Sequence, residues 1–199
     1  MEVILASSNL HKLREFRDMF KSVPHIELIP LHQFHDYIPP EETGATFREN
    51  AILKAEHAAK YFNTWAIADD SGLVIPALKG EPGVSSRRYA GLHATDIENR
   101  QKLIKEMEHL MDQARTAFYE CCLAIADPSG VKKCVEGICE GTIIDKEKGS
   151  SGFGYDPLFL KNDYEKTFGE LEESIKNRVS HRRKAFERMI NYLESLRHP

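Results

Sequence analysis

The sequence predicts an α/β protein built on a mixed β-sheet with flanking helices. In the first half of the chain, short apolar segments alternate with amphipathic helical segments, which is typical of strands joined by crossover helices. Two long strand-like segments, 117–126 and 131–144, then follow each other around the turn Asp127-Pro128-Ser129-Gly130 and predict an antiparallel hairpin. Crossover strands and a hairpin together indicate a mixed sheet.

The chain opens with a predicted strand, a polar turn and a helix. Residues 3–6 form a short apolar run, and polar residues follow directly from Ser7. Behind this turn, apolar side chains recur at helical spacing, at Leu13, Phe16, Met19 and Phe20. Residues 26–31 predict the second strand.

The second helix is predicted to begin after Thr46, because Glu49 stands three residues further on and completes a capping box. One face of this helix is apolar and comprises Phe47, Ala51, Ala55, Ala58 and Phe62. The polar residues Asn50, Lys54 and His57 lie on a different stripe.

The later elements follow from similar patterns. Residues 65–68 predict a short strand that ends at the turn Asp69-Asp70-Ser71-Gly72. A second capping box, Thr95 to Glu98, opens a helix whose apolar residues are Leu103, Met107, Leu110 and Ala114. Residues 158–160 form a short apolar run. The last helix is predicted to begin after Ser180 and to carry on one stripe Phe186, Met189, Ile190, Leu193 and Leu196.

Composition limits the classes of function. The chain has 199 residues, of which 41% are hydrophobic and 29% charged, and these values predict one domain or a tight two-lobed unit. The net charge of −4 argues against the broad basic face that binds duplex nucleic acid. A small phosphorylated ligand stays possible, because its site needs only a few local cations.

The sequence also predicts a compartment. No basic segment followed by a long apolar one is present at the N-terminus, and no run approaches the roughly 20 apolar residues of a membrane-spanning helix. The cysteines Cys121, Cys122, Cys134 and Cys139 lack the spacing of a zinc site. We therefore expect reduced cysteines packed in the sheet of a cytoplasmic protein.

The turn between the first strand and the first helix is a candidate anion site. Its residues are Ser7, Ser8, Asn9, Leu10, His11 and Lys12. A helix N-terminus offers free backbone N–H groups and the positive end of a dipole, and Lys12 would add a full charge. An ordinary N-cap beside a surface lysine explains the same residues, so the spacing leaves both interpretations open.

Four acidic residues are candidates for binding a metal: Glu41, Glu42, Asp69 and Asp70. Adjacent carboxylates repel each other unless they are solvated, paired or bridged by a cation, and Mg²⁺ binds one or two carboxylates together with substrate phosphates. A carboxylate beside them could orient or deprotonate an attacking water molecule. The alternative is an exposed Asp-Asp-Ser-Gly turn.

The loop 149–157 places two aromatic residues, Phe153 and Tyr155, among glycines. Glycine permits unusual backbone dihedrals, and a ring presented by such a loop can stack on a nucleobase. A tight turn anchored by aromatic packing is the alternative interpretation.

The last helix carries the cations His181, Arg182 and Arg183 in its predicted first turn. Cations there oppose the helix dipole, so sequences usually place acids at this end. An electron-rich ligand would explain the arrangement, and so would a solvated basic face or ion pairs with Glu172 and Glu173.

Six segments resemble the inosine triphosphate pyrophosphatase family, whose members remove non-standard purine nucleoside triphosphates. They are ILASSNLHKLREF, EETGATFRENAILKAEHAA, AIADDSGL, PGVSSRRYAG, GFGYDP and KNRVSHRRKAF. The segments occur in the family's order and run nearly end to end, which makes the resemblance specific.

The resemblance implies a single nucleoside triphosphate pyrophosphatase domain over residues 1–199. Its two lobes would surround a long mixed sheet, with the nucleotide in the cleft between them, and the protein would be a homodimer. The implied reaction is the Mg²⁺-dependent hydrolysis of inosine, deoxyinosine or xanthosine triphosphate (ITP, dITP, XTP) to the monophosphate and pyrophosphate. The partner that the resemblance implies is a small-molecule nucleoside triphosphate, and not nucleic acid or a membrane.

The resemblance also assigns roles to residues. The phosphate chain would be held by Ser7, Ser8, Asn9, Leu10, His11, Lys12 and Lys54. Glu42, Asp69 and Asp70 would serve the metal, Asp70 would also be the base for water, and Ser71 would touch the substrate. The base and sugar would be surrounded by Phe153, Gly154, Tyr155, Asp156, Lys176, His181 and Arg182. Donors such as Lys176 and Arg182 suit a 6-keto purine.

The segment PGVSSRRYAG departs from the family pattern at two positions. Arg87 stands where a small residue is expected, and Ser85 where an aromatic residue is more usual. Neither residue is among those expected to bind the substrate or the metal, so these departures affect the expected subunit contacts or loop packing more than the expected activity.

Three other functions compete with this one. The same residues could form a nucleotide sensor without turnover, which an assay of pyrophosphate release would distinguish. A nucleic-acid-binding protein could use the pairs Arg87-Arg88, Lys132-Lys133 and Arg182-Arg183, and its binding would depend steeply on salt. A related pyrophosphatase with a pyrimidine preference is the third.

Overall fold

The computed structural model describes residues 1–197, in which six strands and five α-helices are found. The strands are β1 (Glu2–Leu5), β2 (Glu27–Pro30), β3 (Ala66–Val74), β4 (Thr116–Asp127), β5 (Gly130–Ile143) and β6 (Phe159–Lys161). The helices are α1 (Leu10–Phe20), α2 (Phe47–Phe62), α3 (Asp96–Glu106), α4 (Glu173–Val179) and α5 (His181–Ser195).

The strands form one sheet in the order β2-β1-β3-β4-β5-β6. Strand β1 pairs in parallel with β2 and with β3, so that Val3 aligns with Leu28 and Leu5 with Ile67. Strand β6 pairs antiparallel with β5, where Leu160 aligns with Thr142. The predicted α/β class and mixed sheet are therefore confirmed.

The chain divides into two compact units, each with its own hydrophobic core. The first unit comprises Met1–Asp70, Cys121–Gly137 and the residues from Arg182 onward. Its core includes Val3, Leu5, Phe16, Met19, Ile67, Leu123, Phe186 and Leu193. The second unit comprises Ser71–Glu120 and Ile138–His181. Its core includes Leu73, Leu103, Met107, Tyr119, Phe159 and Phe168.

Local capping signals place three helices correctly. Thr46 and Thr95 both form reciprocal capping boxes, with Glu49 and Glu98 respectively, at the starts of α2 and α3. Helix α5 begins directly after Ser180, which has the extended backbone of an N-cap residue (φ −70°, ψ 158°).

Strand β3 is longer than predicted, and it contains the Asp-Asp-Ser-Gly segment that the sequence analysis placed in a turn. Asp69 and Asp70 are both buried within this strand. Acidic residues are depleted in strands because burial of a charge is costly. The predicted end of the strand at residue 68 rested on that tendency and is wrong. The charges of Asp69 and Asp70 are neutralised by residues from other elements, as described below.

Two helical predictions also need correction. Helix α3 ends at Glu106, so Met107, which caps it, and Leu110 and Ala114 lie beyond it. A 3₁₀ turn follows at 112–115. Helix α4 was not predicted, because it has only seven residues and Glu172 precedes it without a side-chain capping bond.

All four cysteines are reduced, as predicted, and lie in β4 and β5. Across residues 1–197, the structure contains no helix that is both long and apolar enough to cross a membrane.

Candidate active site

Asn9 caps helix α1 and orders the turn that was predicted to bind an anion. Its Oδ1 accepts hydrogen bonds from the backbone N–H groups of His11 (2.9 Å) and Lys12 (3.2 Å). The hydroxyl of Ser7 accepts a further bond from the N–H of Asn9 at 3.3 Å. The expectation of free backbone N–H groups is therefore wrong for these three residues, because short polar side chains already satisfy them. The side chains of Ser8, Leu10 and His11 are exposed in the same turn.

Asp69 is a fully buried carboxylate held between two cations of the first unit. Lys12 Nζ lies 2.8 Å and Arg182 Nε 3.3 Å from the same oxygen, Oδ2. Burial alone would raise the pKa of Asp69, but the charges of Lys12 and Arg182 outweigh it and hold the pKa below its ordinary value. This carboxylate is therefore ionised at neutral pH and paired with protein groups.

Arg182 lies in the first turn of α5 with only 1% of the residue exposed. Besides Asp69, its guanidinium donates a hydrogen bond to Glu15 on α1. Burial would lower the pKa of Arg182, yet Glu15 and Asp69 raise it well above its ordinary value. The two carboxylates thus stabilise a cation at the helix end where the dipole disfavours it.

Glu15 is a residue of this charged cluster that the sequence analysis missed. It is buried, with 4% exposed, although it belongs to a helix with a largely polar surface. Its spacing in the sequence could have indicated this. Glu15 follows Lys12 by three residues and precedes the apolar Met19 by four, so the three side chains share one face of α1. A carboxylate on that side of a helix needs a cationic partner.

Asp70 faces a different cation, Lys54 of α2. The Lys54 ammonium lies 3.1 Å from Asp70 Oδ1 and 2.6 Å from Glu42 Oε1, so one charge joins two carboxylates. Burial raises the pKa of Asp70, Lys54 offsets part of that effect, and Glu42 adds to it, so the pKa lies above its ordinary value. A carboxylate with a raised pKa is a better proton acceptor than an ordinary one while it stays ionised.

Asn50, also missed as a functional residue, orients Asp70. Its Nδ2 donates to Asp70 Oδ2 at 3.2 Å, and its Oδ1 accepts from the N–H of Gly44 at 2.8 Å. A Cβ atom at Gly44 would lie 2.7 Å from the same Oδ1, so only glycine fits there without displacing the amide. Both oxygens of Asp70 therefore have fixed donors, Asn50 and Lys54.

Glu42 and Asp70 are the carboxylates best placed to bind a divalent cation. Their side chains are 34% and 10% exposed, against 0% for Asp69. No three His, Cys, Asp or Glu side chains within residues 1–197 are arranged to hold a metal by themselves. Mg²⁺ commonly takes one or two carboxylates and completes its shell with phosphate oxygens and water. The donor set thus fits Mg²⁺ that arrives with a polyphosphate, and the metal role of Asp69 stays a prediction.

In the second unit, Asp156 organises the glycine-rich loop. Its Oδ2 accepts hydrogen bonds from the N–H of Phe153 at 2.8 Å and from Lys176 Nζ at 2.6 Å. The Lys176 ammonium also lies 4.6 Å from the centroid of the Phe153 ring. The structure therefore brings together three residues predicted to surround the base: Phe153, Asp156 and Lys176.

His181 is joined to the same cluster through Tyr119 of β4. The two rings stack with centroids 4.8 Å apart and planes 13° apart, and the Tyr119 hydroxyl donates to Asp156 Oδ1 at 3.3 Å. Burial raises the pKa of Tyr119 well above its ordinary value, so its hydroxyl stays protonated and can donate. Tyr119 was not identified from the sequence.

Tyr155 and Phe153 have different environments although both were predicted to present a ring. Tyr155 is buried, with 3% exposed, and its hydroxyl donates to the carbonyl of Ser86 at 2.8 Å. It anchors the loop, as the alternative interpretation expected, whereas Phe153 is half-buried. Ser71 is half-buried within β3.

The buried position of Arg182 weakens the nucleic-acid alternative. One of its three proposed basic pairs is Arg182-Arg183, but Arg182 lies inside the protein and Arg183 pairs with Glu187 at 2.8 Å. A phosphate backbone can be contacted only by exposed cations.

Comparisons with known proteins identify relatives over the whole chain. The sequence model of the Ham1 family matches residues 3–192. A protein of Protochlamydia amoebophila named dITP/XTP pyrophosphatase is 61% identical over 198 residues, which are 99% of this chain and 100% of the relative. A protein of Chlamydia abortus with the same name is 47% identical over 98% of this chain and 96% of its own length.

Solved structures agree with these relatives. A HAM1 protein from Coxiella burnetii superposes with a TM-score of 0.90 at 41% identity, covering 98% of this chain and 99% of that one. The Ham1 protein of Staphylococcus aureus gives a TM-score of 0.87 at 39% identity, covering 99% of this chain and 100% of that one.

Proposed function

Because the chain belongs to the Ham1 family, we propose that it hydrolyses dITP, XTP and ITP to the nucleoside monophosphate and pyrophosphate. That it is a nucleoside triphosphate pyrophosphatase follows from full-length identity of up to 61% with relatives of that name. The choice of these purine substrates rests on the relatives' names and on the predicted base-binding residues.

The arrangement around Asp70 is the observation that carries the proposal. Asn50 and Lys54 donate to its two oxygens, so the carboxylate is held in one orientation, as a general base requires. In the proposed step, Asp70 accepts a proton from water while the water oxygen bonds to the α-phosphorus. The bond from that phosphorus to the bridging oxygen breaks, and pyrophosphate leaves with the electron pair.

Glu42 and Asp70 would hold Mg²⁺ in this reaction. Bound there, the metal supplies charge neutralisation for the triphosphate. The protein's own cations have separate tasks: Lys54 holds the two carboxylates together, and Lys12 neutralises Asp69 at the start of α1. Ser7 to Lys12 would bind the phosphate chain.

The second unit would bind the base and sugar. Phe153 is the half-buried ring for stacking, and Lys176, ordered by Asp156, is the donor suited to a 6-keto group. His181 is held by Tyr119 at the same cluster. Arg182 belongs to the first unit, where its guanidinium is engaged by Glu15 and Asp69, so its contact with the base stays a prediction.

A panel of nucleoside triphosphates tests this proposal. The protein is incubated with dITP, XTP, ITP, dGTP, ATP and UTP, with and without Mg²⁺, and pyrophosphate and orthophosphate are measured separately. We expect pyrophosphate from dITP, XTP and ITP in the presence of Mg²⁺. Orthophosphate as the first product would contradict cleavage between the α- and β-phosphates, and binding without product would favour the sensor.

We further propose a cytoplasmic homodimer. The homodimer is what the family resemblance implies, and the apolar side chains of Leu92 and Ile97, which are 78% and 56% exposed, are candidates for contact with a second copy. Four reduced cysteines are typical of a protein in a reducing compartment. Light scattering of the purified protein tests the dimer, and a monomeric mass at micromolar concentration would contradict it.

A further inference from the structure

Two side chains of helix α3 bind both polar backbone groups of one residue in the loop 149–157. Asp96 Oδ2 accepts a hydrogen bond from the N–H of Gly154 at 2.7 Å. Arg100 Nη1 donates to the carbonyl of Gly154 at 2.9 Å. Residues four apart share one face of a helix, so a single surface of α3 provides both contacts. We call Asp96 and Arg100 the α3 clamp.

The loop needs such a clamp because its own backbone is permissive. Gly152 and Gly154 have φ angles of 80° and 60°, in the left-handed region that favours glycine, and they flank Phe153 on both sides. A Cβ atom at Gly154 would have no neighbour within 4 Å. The position of Gly154 is therefore held by its own backbone hydrogen bonds, next to the buried anchor of Tyr155.

Arg100 also anchors the chain before the loop. Its Nε lies 2.9 Å from Glu147 Oε1, and its side chain is only 12% exposed. Helix α3 is itself fixed at its start by the capping box of Thr95 and Glu98. The clamp thus connects helix α3 both to Glu147, which precedes the loop, and to Gly154 in its middle.

We propose that Asp96 and Arg100 are positioning residues for the purine base of the substrate, a role that rests on the proposed function. By fixing Gly154 they fix the adjacent residue, Phe153. The backbone N–H of Phe153 donates to Asp156, and its ring lies beside the Lys176 ammonium. The residues assigned to the phosphates and to the attacking water belong to the first unit, so loss of the clamp weakens base binding and spares the chemical step.

Steady-state kinetics of Arg100→Met and Asp96→Leu test this role. We expect KM for dITP and XTP to rise about five- to tenfold, as for the net loss of one hydrogen bond of ordinary strength. We expect kcat to change less than about twofold. Inorganic tripolyphosphate, which carries no base, serves as a competitive inhibitor, and its inhibition constant stays at the wild-type value.

Two further variants separate the clamp from general effects on the helix. Asp96→Asn keeps an acceptor oxygen and is expected to retain a KM near that of the wild type. Lys105→Met removes a charge from the exposed end of the same helix and serves as the matched control.

Each outcome decides between the hypotheses. If the wild type is active and the variants keep the wild-type KM, the positioning role is wrong and the proposed function stands. Equal increases in KM and in the inhibition constant of tripolyphosphate also contradict the positioning role, because they indicate a distortion of the phosphate-binding residues as well. A wild type that releases no pyrophosphate from any triphosphate overturns the proposed function, and the positioning role with it.

Discussion

Asp69 and Asp70 are neighbours in the chain, yet their pKa values move in opposite directions. Successive side chains of a strand point to opposite faces of the sheet, so the two carboxylates have different surroundings. Lys12 and Arg182 neutralise Asp69, whereas Asp70 shares Lys54 with Glu42. At the scale of single residues, this difference separates a structural carboxylate from a candidate base.

Replacement of the base is the first prediction. Asp70→Asn keeps the size of the side chain but cannot accept the proton, so we expect kcat for dITP to fall at least about 100-fold. Pyrophosphate release at saturating substrate measures the effect. Asp18→Asn, at an exposed site of the same unit, is the control. Wild-type turnover by Asp70→Asn would remove Asp70 from the role of base.

The raised pKa of Asp70 gives a second prediction, for the titration of this carboxyl in the protein without bound metal. Burial disfavours its charged form, so the carboxyl is expected to become protonated on acidification through a pKa above the ordinary aspartate value of about 3.9. Lys54 lowers this pKa, so Lys54→Met moves the titration to higher pH, which the NMR signal of the carboxyl measures. The exposed Lys60→Met on the same helix leaves the titration in place. An unmoved titration in Lys54→Met would show that Lys54 does not control the charge of Asp70.

At the scale of elements, local patterns were sufficient for the starts of α2, α3 and α5. They failed where residues distant in the sequence determine the extent of an element. Strand β3 continues through Asp69 and Asp70 because Lys12, Lys54 and Arg182 supply the counter-charges, and no local pattern contains that information. Helix α4 is too short to have a strong pattern of its own.

Helix α5 gives the third prediction, which concerns stability. Its buried Arg182 depends on Glu15, so Glu15→Gln leaves a charge under-compensated and is expected to lower the free energy of unfolding by about 3 kcal/mol. Glu187→Gln disrupts the exposed pair with Arg183 on the same helix and is expected to cost less than about 1 kcal/mol. Chemical denaturation measures both, and equal costs would contradict the importance of burial.

At the scale of the whole molecule, the candidate site gathers residues that lie far apart in the chain. Glu15 and Arg182 are 167 positions apart, and Asp70 and Asn50 are 20 apart. Family resemblance identified most of the residues expected to touch the substrate. It did not identify Glu15, Asn50 or Tyr119, because each acts on another side chain and its importance appears only in the folded contacts.

Removal of divalent cations is the fourth prediction. With EDTA in excess we expect pyrophosphate release to stop, because two carboxylates then face the phosphate chain without a metal. Added Mg²⁺ is expected to restore the rate, whereas the midpoint of thermal unfolding without nucleotide stays unchanged. Full turnover in EDTA would contradict a metal at Glu42 and Asp70.

Two sets of ion pairs lie in the first unit. One joins Lys12, Asp69, Arg182 and Glu15, and the other joins Glu42, Lys54 and Asp70. Together they contain three cations and four carboxylates, so the formal net charge of these seven residues is −1. A free triphosphate is expected to be repelled by this charge, whereas a triphosphate complexed with a divalent cation has part of its own charge cancelled in solution. On the proposed function, we therefore expect the metal–nucleotide complex, rather than the free nucleotide, to be the species that binds.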